Sequence, residues 1–180
     1  MPLWPPQFVD AEDGLTVGLG YLAQTFPRNN ANATALVLTT QRVQAGSIGL
    51  KAGMVLTGAV ICVTGAAAAG ATYSAIGLYN SSDALVAVTA NTAEHFASAG
   101  SIKLAFTATY TVPTTGIYYI AALTVNAGTN PSVLRGSGLA GTDTATSGAE
   151  VSHWQQATQS TLPSTATPAA TTPCIWGAVY

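Results

Sequence analysis

The stretch Leu104 to Asn126, LAFTATYTVPTTGIYYIAALTVN, limits what this 180-residue chain can fold into more than any other part of it. Two runs of aromatic, β-branched and aliphatic residues meet at Val112-Pro113-Thr114-Thr115-Gly116. Proline sets φ there and glycine permits a tight reversal, so the runs become neighbouring strands. Side chains alternate along a strand, and the second run, Gly116 to Val125, is apolar on both sides. Ile117, Tyr119, Ala121 and Leu123 form one side; Tyr118, Ile120 and Ala122 form the other. In an antiparallel sandwich only one side of a strand meets the core. The second side therefore calls for further burial, and a homo-oligomer is the expected source, a trimer with Tyr118, Ile120 and Ala122 as its candidate interface.

The same β chemistry recurs from Thr34 onward. Leu36 and Leu38 lead through Thr39 and Gln41 to Arg42-Val43, and the glycine-marked region Gly46 to Gly53 predicts a turn. Further strands are predicted over Met54–Thr64, Tyr73–Tyr79, Ala84–Thr89 and Ser101–Thr107, with Asn80-Ser81-Ser82-Asp83 as a hairpin turn. The alanine run within Gly65–Thr72 is bracketed by glycines and reads as loop, as does Asn91–Gly100, with one helical turn at Glu94-His95-Phe96. Cys174–Tyr180, CIWGAVY, is a last apolar strand. Strands of this length with turn signals between them predict an all-β fold, a jelly-roll-like antiparallel β-sandwich with an N-terminal arm.

Two regions depart from that pattern. Residues 1–33 begin Pro-rich and place Asp10, Glu12 and Asp13 within four positions, cap chemistry for a short helix reaching about Gln24, against which Gly14, Gly18 and Gly20 count. This segment is either an arm that docks on a neighbouring protein or a covering segment over the sandwich that occupies residues 34–180. Residues 127–173 are dominated by Gly, Ser, Thr, Ala and Pro around one island, Glu150–Gln156. A loop of that length is unusual in a compact domain and tends to carry function. In it, Trp154 beside His153, Gln155 and Gln156 offers an aromatic ring for stacking on a sugar and amides for its hydroxyls, a candidate glycan or receptor contact. The alternative is that Trp154 tucks back onto the sandwich and pins the loop.

Composition narrows the remaining classes. Only 7% of residues are charged, against roughly 25% in ordinary domains, so the surface must be neutral or hidden against other subunits. Arg28, Arg42, Lys51, Lys103 and Arg135 are scattered and the net charge is −2, which argues against nucleic-acid binding. No segment has the length and apolarity of a membrane span, and no leader pattern follows Met1, so synthesis in a cytoplasm is expected. No catalytic, cofactor or metal constellation is evident. No serine lies in a Gly-x-Ser-x-Gly elbow, and the acid/base candidates reduce to Glu94 with His95 and Glu150 with His153. Cys62 and Cys174 are expected as two small hydrophobes in or near the core.

The residues from Phe106 to Ile120, an aromatic and a spacer followed by Val112-Pro113, Gly116, Ile117 and Tyr118-Tyr119, resemble the strand signature of trimeric C1q and tumour necrosis factor-like jelly rolls. More widely, LVLTTQRVQAGSIGLKAGMVLTGAVICVTGAAA, AIGLYNSSDALVAVT and the Leu104–Asn126 stretch resemble β-sandwich domains in structural proteins of bacteriophages infecting actinobacteria. That resemblance covers about half of the chain, leaves out the first 35 residues and brings no active site with it. It implies a non-enzymatic virion protein made in the host bacterial cytoplasm: a minor tail or fibre subunit touching a host surface glycan, with other virion proteins held through residues 1–33. A capsid decoration or head-fibre protein is the alternative it implies. A secreted carbohydrate-binding module is a third reading, drawn from the residues around Trp154.

Overall fold

The structure, a computed structural model, describes residues 20–28, 31, 33–65, 69–136, 153–169 and 174–180. Its strands are β1 (Ala23–Gln24), β2 (Leu36–Val37), β3 (Val43–Leu50), β4 (Val55–Val63), β5 (Ala71–Tyr79), β6 (Leu85–Val88), β7 (Gly100–Thr111), β8 (Gly116–Asn126), β9 (Ser132–Val133), β10 (His153–Gln156) and β11 (Gly177–Val179). They form two antiparallel sheets, the all-β sandwich expected from the strand pattern. One sheet has the order β10-β3-β8-β5-β6. The other runs β1-β11-β4-β9-β2, with β7 on the opposite side of β4.

β8, half of the stretch that most limits the fold, sits at the centre of the five-stranded sheet between β3 and β5. Its Tyr118, Ile120 and Ala122 point between the sheets, in one core with Ile48 and Leu50 of β3, Ile76 and Leu78 of β5, and Leu56, Ala59 and Ile61 of β4. Each large aliphatic side chain buried there stabilises the fold by about 1.5–3 kcal/mol. The expected oligomer interface is thereby corrected: Tyr118 is 3% exposed and Ile120 and Ala122 are 0% exposed, because the second sheet lies over that side. The Tyr118 hydroxyl reaches back to donate to the Thr114 carbonyl (3.1 Å), tying the Pro113 turn to the strand it starts.

The expectation that the two runs become neighbouring strands is corrected: the Val112–Gly116 turn crosses from one sheet to the other, so β8 lies in the five-stranded sheet while β7 pairs with β4 and closes one seam of the sandwich. It pairs with β4 from Gly100 to Ala105 and again at Tyr110 and Thr111. Between these it leaves β4 and meets the β6 side at a Thr89–Phe106 bridge, where the Thr107 hydroxyl donates to the Val88 carbonyl (3.1 Å). The β5–β6 hairpin forms as predicted. The Asn80 Oδ1 accepts the Ser82 and Ala84 N–H groups, and Asp83 takes the left-handed conformation, φ 60°.

Two expectations hold only in part. The turn expected over Gly46–Gly53 is confined to the end of that region, since β3 continues to Leu50 and the reversal falls at Lys51–Gly53, with Gly53 at φ 86°. Gly46 serves close approach instead, because a Cβ there would lie 2.6 Å from Cys174 Sγ and 2.7 Å from the Ile175 carbonyl. The second concerns residues 1–33, of which 20–28 belong to the sandwich. Ala23 and Gln24 pair with Val179 and Ala178, and Tyr21 and Phe26 pack with Trp176. The predicted helix thus ends in strand at Ala23–Gln24, and its earlier part lies outside the described residues.

Candidate functional site

The residues singled out for recognition, His153 to Gln156, form β10, the edge strand beside β3. Trp154 stands on the outer side of the five-stranded sheet, in register with Ala45 of β3, which pairs with Ala121 of β8, which pairs with Gly77 of β5. Small residues in successive strands leave a shelf, and the indole fills it. Tyr79 and Tyr119 meet its ring edge to face, with centroids 5.3 and 6.1 Å away, a preferred aromatic geometry. Trp154 is 1% exposed, so its ring is a packing element and offers no face to a sugar. Its Nε1 has no hydrogen-bond partner among the described residues.

The segment after β10 covers the rest of that surface. Residues 157–169 run across the sheet as a strap, with Leu162 and Ala166 buried against Tyr79, Tyr119, Ala121 and Leu123. Gly77 makes room, because a Cβ there would come within 2.9 Å of Leu162 Cδ1. Tyrosine hydroxyls pin the crossing: Tyr79 donates to the Pro163 carbonyl (2.9 Å), and Tyr73 accepts the Leu162 N–H (3.2 Å). Burial holds the Tyr79 phenol well above its ordinary range, with Tyr73 adding to the effect. The strap then bonds the β6 edge, Leu85 N–H to the Ser164 carbonyl and Ala166 N–H to the Asp83 carbonyl, and returns to β10 through a two-bond bridge between Gln155 and Ala169. Both edges of this sheet are thus capped by the chain itself, which blunts their tendency to pair with other chains.

The amides read as hydroxyl binders are drawn into the same closure. Gln156 Oε1 accepts the Thr167 N–H (2.8 Å), and Gln155 Oε1 accepts from Arg42 Nη1 (3.3 Å). His153 is buried, and desolvation lowers its pKa. What the strap shows to solvent is hydroxylated and uncharged: Thr158, Ser160, Thr161, Ser164, Thr165 and Thr167 are exposed, and residues 153–169 include no Lys, Arg, Asp or Glu. Such a surface can donate and accept hydrogen bonds without charge.

The remaining titratable candidates also have local duties. His95 Nε2 lies 2.6 Å from the Ala90 carbonyl and Nδ1 lies 3.1 Å from Thr92 Oγ1. An Nε2–H tautomer satisfies both, since the ring then donates to the carbonyl and accepts from the hydroxyl. Glu94 sits in the same turn, its carbonyl accepting the Ala97 N–H, beneath which Phe96 is fully buried. Glu150, the expected partner of His153, lies outside the described residues. Cys62 and Cys174 are free thiols, as expected, and burial pushes the Cys174 thiol up to about 12. Among the described residues no three His, Cys, Asp or Glu side chains converge as metal ligands, and no helix is long and apolar enough to cross a membrane.

The outer side of the six-stranded sheet carries a second aromatic group that sequence reasoning missed. Trp176 is fully buried there, its Nε1 donating to the Phe26 carbonyl (3.1 Å), with Tyr21 edge-on at 5.8 Å and the Arg28 guanidinium 5.5 Å above the ring. Farther along, Lys103 Nζ lies 3.9 Å from the centroid of the Tyr180 ring. The residues that meet there are some 70 to 150 positions apart in the chain, so no local pattern announces them. Comparisons with protein-family models, with curated proteins and with solved structures give no match.

Proposed function

We propose that the chain is a non-enzymatic structural subunit of a bacteriophage virion, placed in a minor tail or fibre, with capsid decoration as the alternative. The observation that carries this reading is the strap. A sandwich whose five-stranded sheet has its outer surface and edges covered by the chain's own residues 153–169, and which turns neutral hydroxyls outward there, is suited to be a structural scaffold. The resemblance of the Leu36–Arg135 region to phage β-sandwich domains supports the same reading. A trimer now rests on the likeness of Phe106–Ile120 to C1q-type strands alone, since both sides of β8 are covered within one chain. Contact with a host glycan falls in this reading to the exposed strap hydroxyls rather than to the ring of Trp154.

Location on a particle is the direct test. Purified virions from a phage encoding the chain are analysed by mass spectrometry and by immunogold labelling. Label at the distal tail is the expected result, and label over the head selects the decoration alternative. Purified particles without the chain refute the proposal.

A further inference from the structure

Among the described residues, every sheet edge but one is short or already occupied. In the five-stranded sheet the strap bonds both β10 and β6. In the six-stranded sheet β1 and β2 are two residues long, whereas β7 runs over 12 residues, Gly100–Thr111, and joins the sheet along one side only, with β4. β6 bonds its other side at Phe106 and Thr107. That leaves Gly100–Ala105 with no second neighbour in the ladder.

The backbone groups on that edge can be assigned. Gly58 of β4 exchanges both bonds with Tyr180, its N–H donating to the Tyr180 carbonyl (3.2 Å) and its carbonyl accepting the Tyr180 N–H (3.1 Å). Successive residues of an antiparallel strand face opposite neighbours. Ala59 and Ile61 therefore face β7, and their partners Leu104 and Ile102 face β4. Ser101, Lys103 and Ala105 turn their N–H and C=O groups the other way, where no described residue bonds them. Ser101 and Ala105 are small, and Lys103, the one charge on the strand, leans inward to a ring that lies over Gly58. An edge lysine usually blocks pairing; this one is drawn off the edge.

A strand that fits this edge needs apolar side chains on the inner side, to cover the half-buried Ile102 and Leu104, and small or polar ones outside. β7 is itself such a strand, and it is the one long edge that the described fold leaves open, so the open edge it meets in solution is its own. We propose that Gly100–Ala105 pairs antiparallel with the same stretch of a second copy about a two-fold axis, joining two six-stranded sheets. A contact of this isologous kind closes as a dimer. Lys103 opposite itself would set like charges together. Ile102 opposite Ile102 of the partner avoids this, places Ser101 opposite Lys103 of the partner, and keeps clear of Phe106, where β6 sits. The contact belongs to the strand edge and goes beyond the virion reading without depending on it.

The test is sedimentation velocity of the full-length protein at concentrations up to about 1 mM, the weak end of specific association. A reversible monomer–dimer equilibrium is expected. Ser101→Pro removes an outward N–H that the β4 ladder does not use, a position where an edge strand accepts proline. It weakens the dimer about tenfold, because a two-fold interface loses the same hydrogen bond twice. Ser101→Glu, set against Lys103 of the partner, tightens the dimer about threefold at low salt, and Ser101→Lys weakens it by about as much. Ser101 is exposed, and unchanged urea midpoints establish that the variants are folded; if Ser101→Pro fails that check, the two charge variants decide. A monomer at every concentration overturns the proposal, and so does a trimer or a dimer that these substitutions leave unaltered. Each of those outcomes leaves the virion reading standing, because the chain's presence on particles is measured separately.

Discussion

Trp154→Ala separates the two meanings that a tryptophan in a polar segment can have. A buried tryptophan removes roughly 250 Å² from water, worth about 6 kcal/mol at 25 cal/mol/Å². Two corrections lower the cost of truncation. The unfolded chain already hides part of that area, and alanine removes an indole N–H that has no partner among the described residues, a group costing about 1–3 kcal/mol to bury unpaired. The expected loss is about 3–5 kcal/mol, the range for tryptophan truncation in a core. For a chain of this length that is a drop in melting temperature of roughly 10 °C. Trp154→Phe keeps most of the contact with Tyr79 and Tyr119 and deletes the N–H, so it should lose less than about 1.5 kcal/mol. Urea titration followed by circular dichroism measures all three proteins. A Trp154→Ala variant within 1 kcal/mol of the parent refutes the packing account and returns the residue to the role of an exposed contact.

Three further expectations rest on other parts of the molecule. Gly46→Ala should destabilise by about 1–3 kcal/mol through overpacking against Cys174 and Ile175, whereas Gly49→Ala, on the same strand with nothing within 4 Å of the new methyl, should be neutral or slightly stabilising. Equal urea midpoints for the two variants would contradict the inter-sheet approach. His153 has its pKa lowered by burial, so below the unfolded value of about 6.5 the unfolded chain binds the proton more readily. Stability is therefore complete above about pH 6.5 and declines as pH falls through and below it; His153→Gln should flatten that decline between about pH 7 and 5. The Cys174 thiol, pushed up to about 12, should react with a disulfide reagent at pH 8 far more slowly in the native protein than in urea, and equal rates would place it at the surface.

The strands that form the two sheets were largely legible in the chain itself, because alternation and turn chemistry act over a few residues. Val112–Gly116, Asn80–Asp83 and the strands on either side of each follow from those local rules. The strand β3 was misread at Gly46, whose smallness answers to Cys174, a residue 128 positions away. The apolarity of both sides of β8 was likewise plain, and it correctly demanded two layers of cover. Which atoms supply that cover was not written locally. The second sheet takes one side, and Trp154, Leu162 and Ala166 take the other, from a segment whose Ser, Thr and Pro content reads as free loop.

What the sequence alone determined is the class of the fold, the β5–β6 hairpin and a surface poor in charge, since each depends on composition or on neighbours in the chain. Tertiary structure decided the rest. It made a strap of residues 157–169 in a supposed recognition loop, decided between the two positions open to Trp154 in favour of the one tucked onto the sandwich, and made an oligomer face the core of one subunit. The physical reason is the same in each case. Burial depends on which surfaces meet, and here those surfaces belong to strands far apart in the chain, as Trp154 on Ala45 and Trp176 beneath Arg28 illustrate.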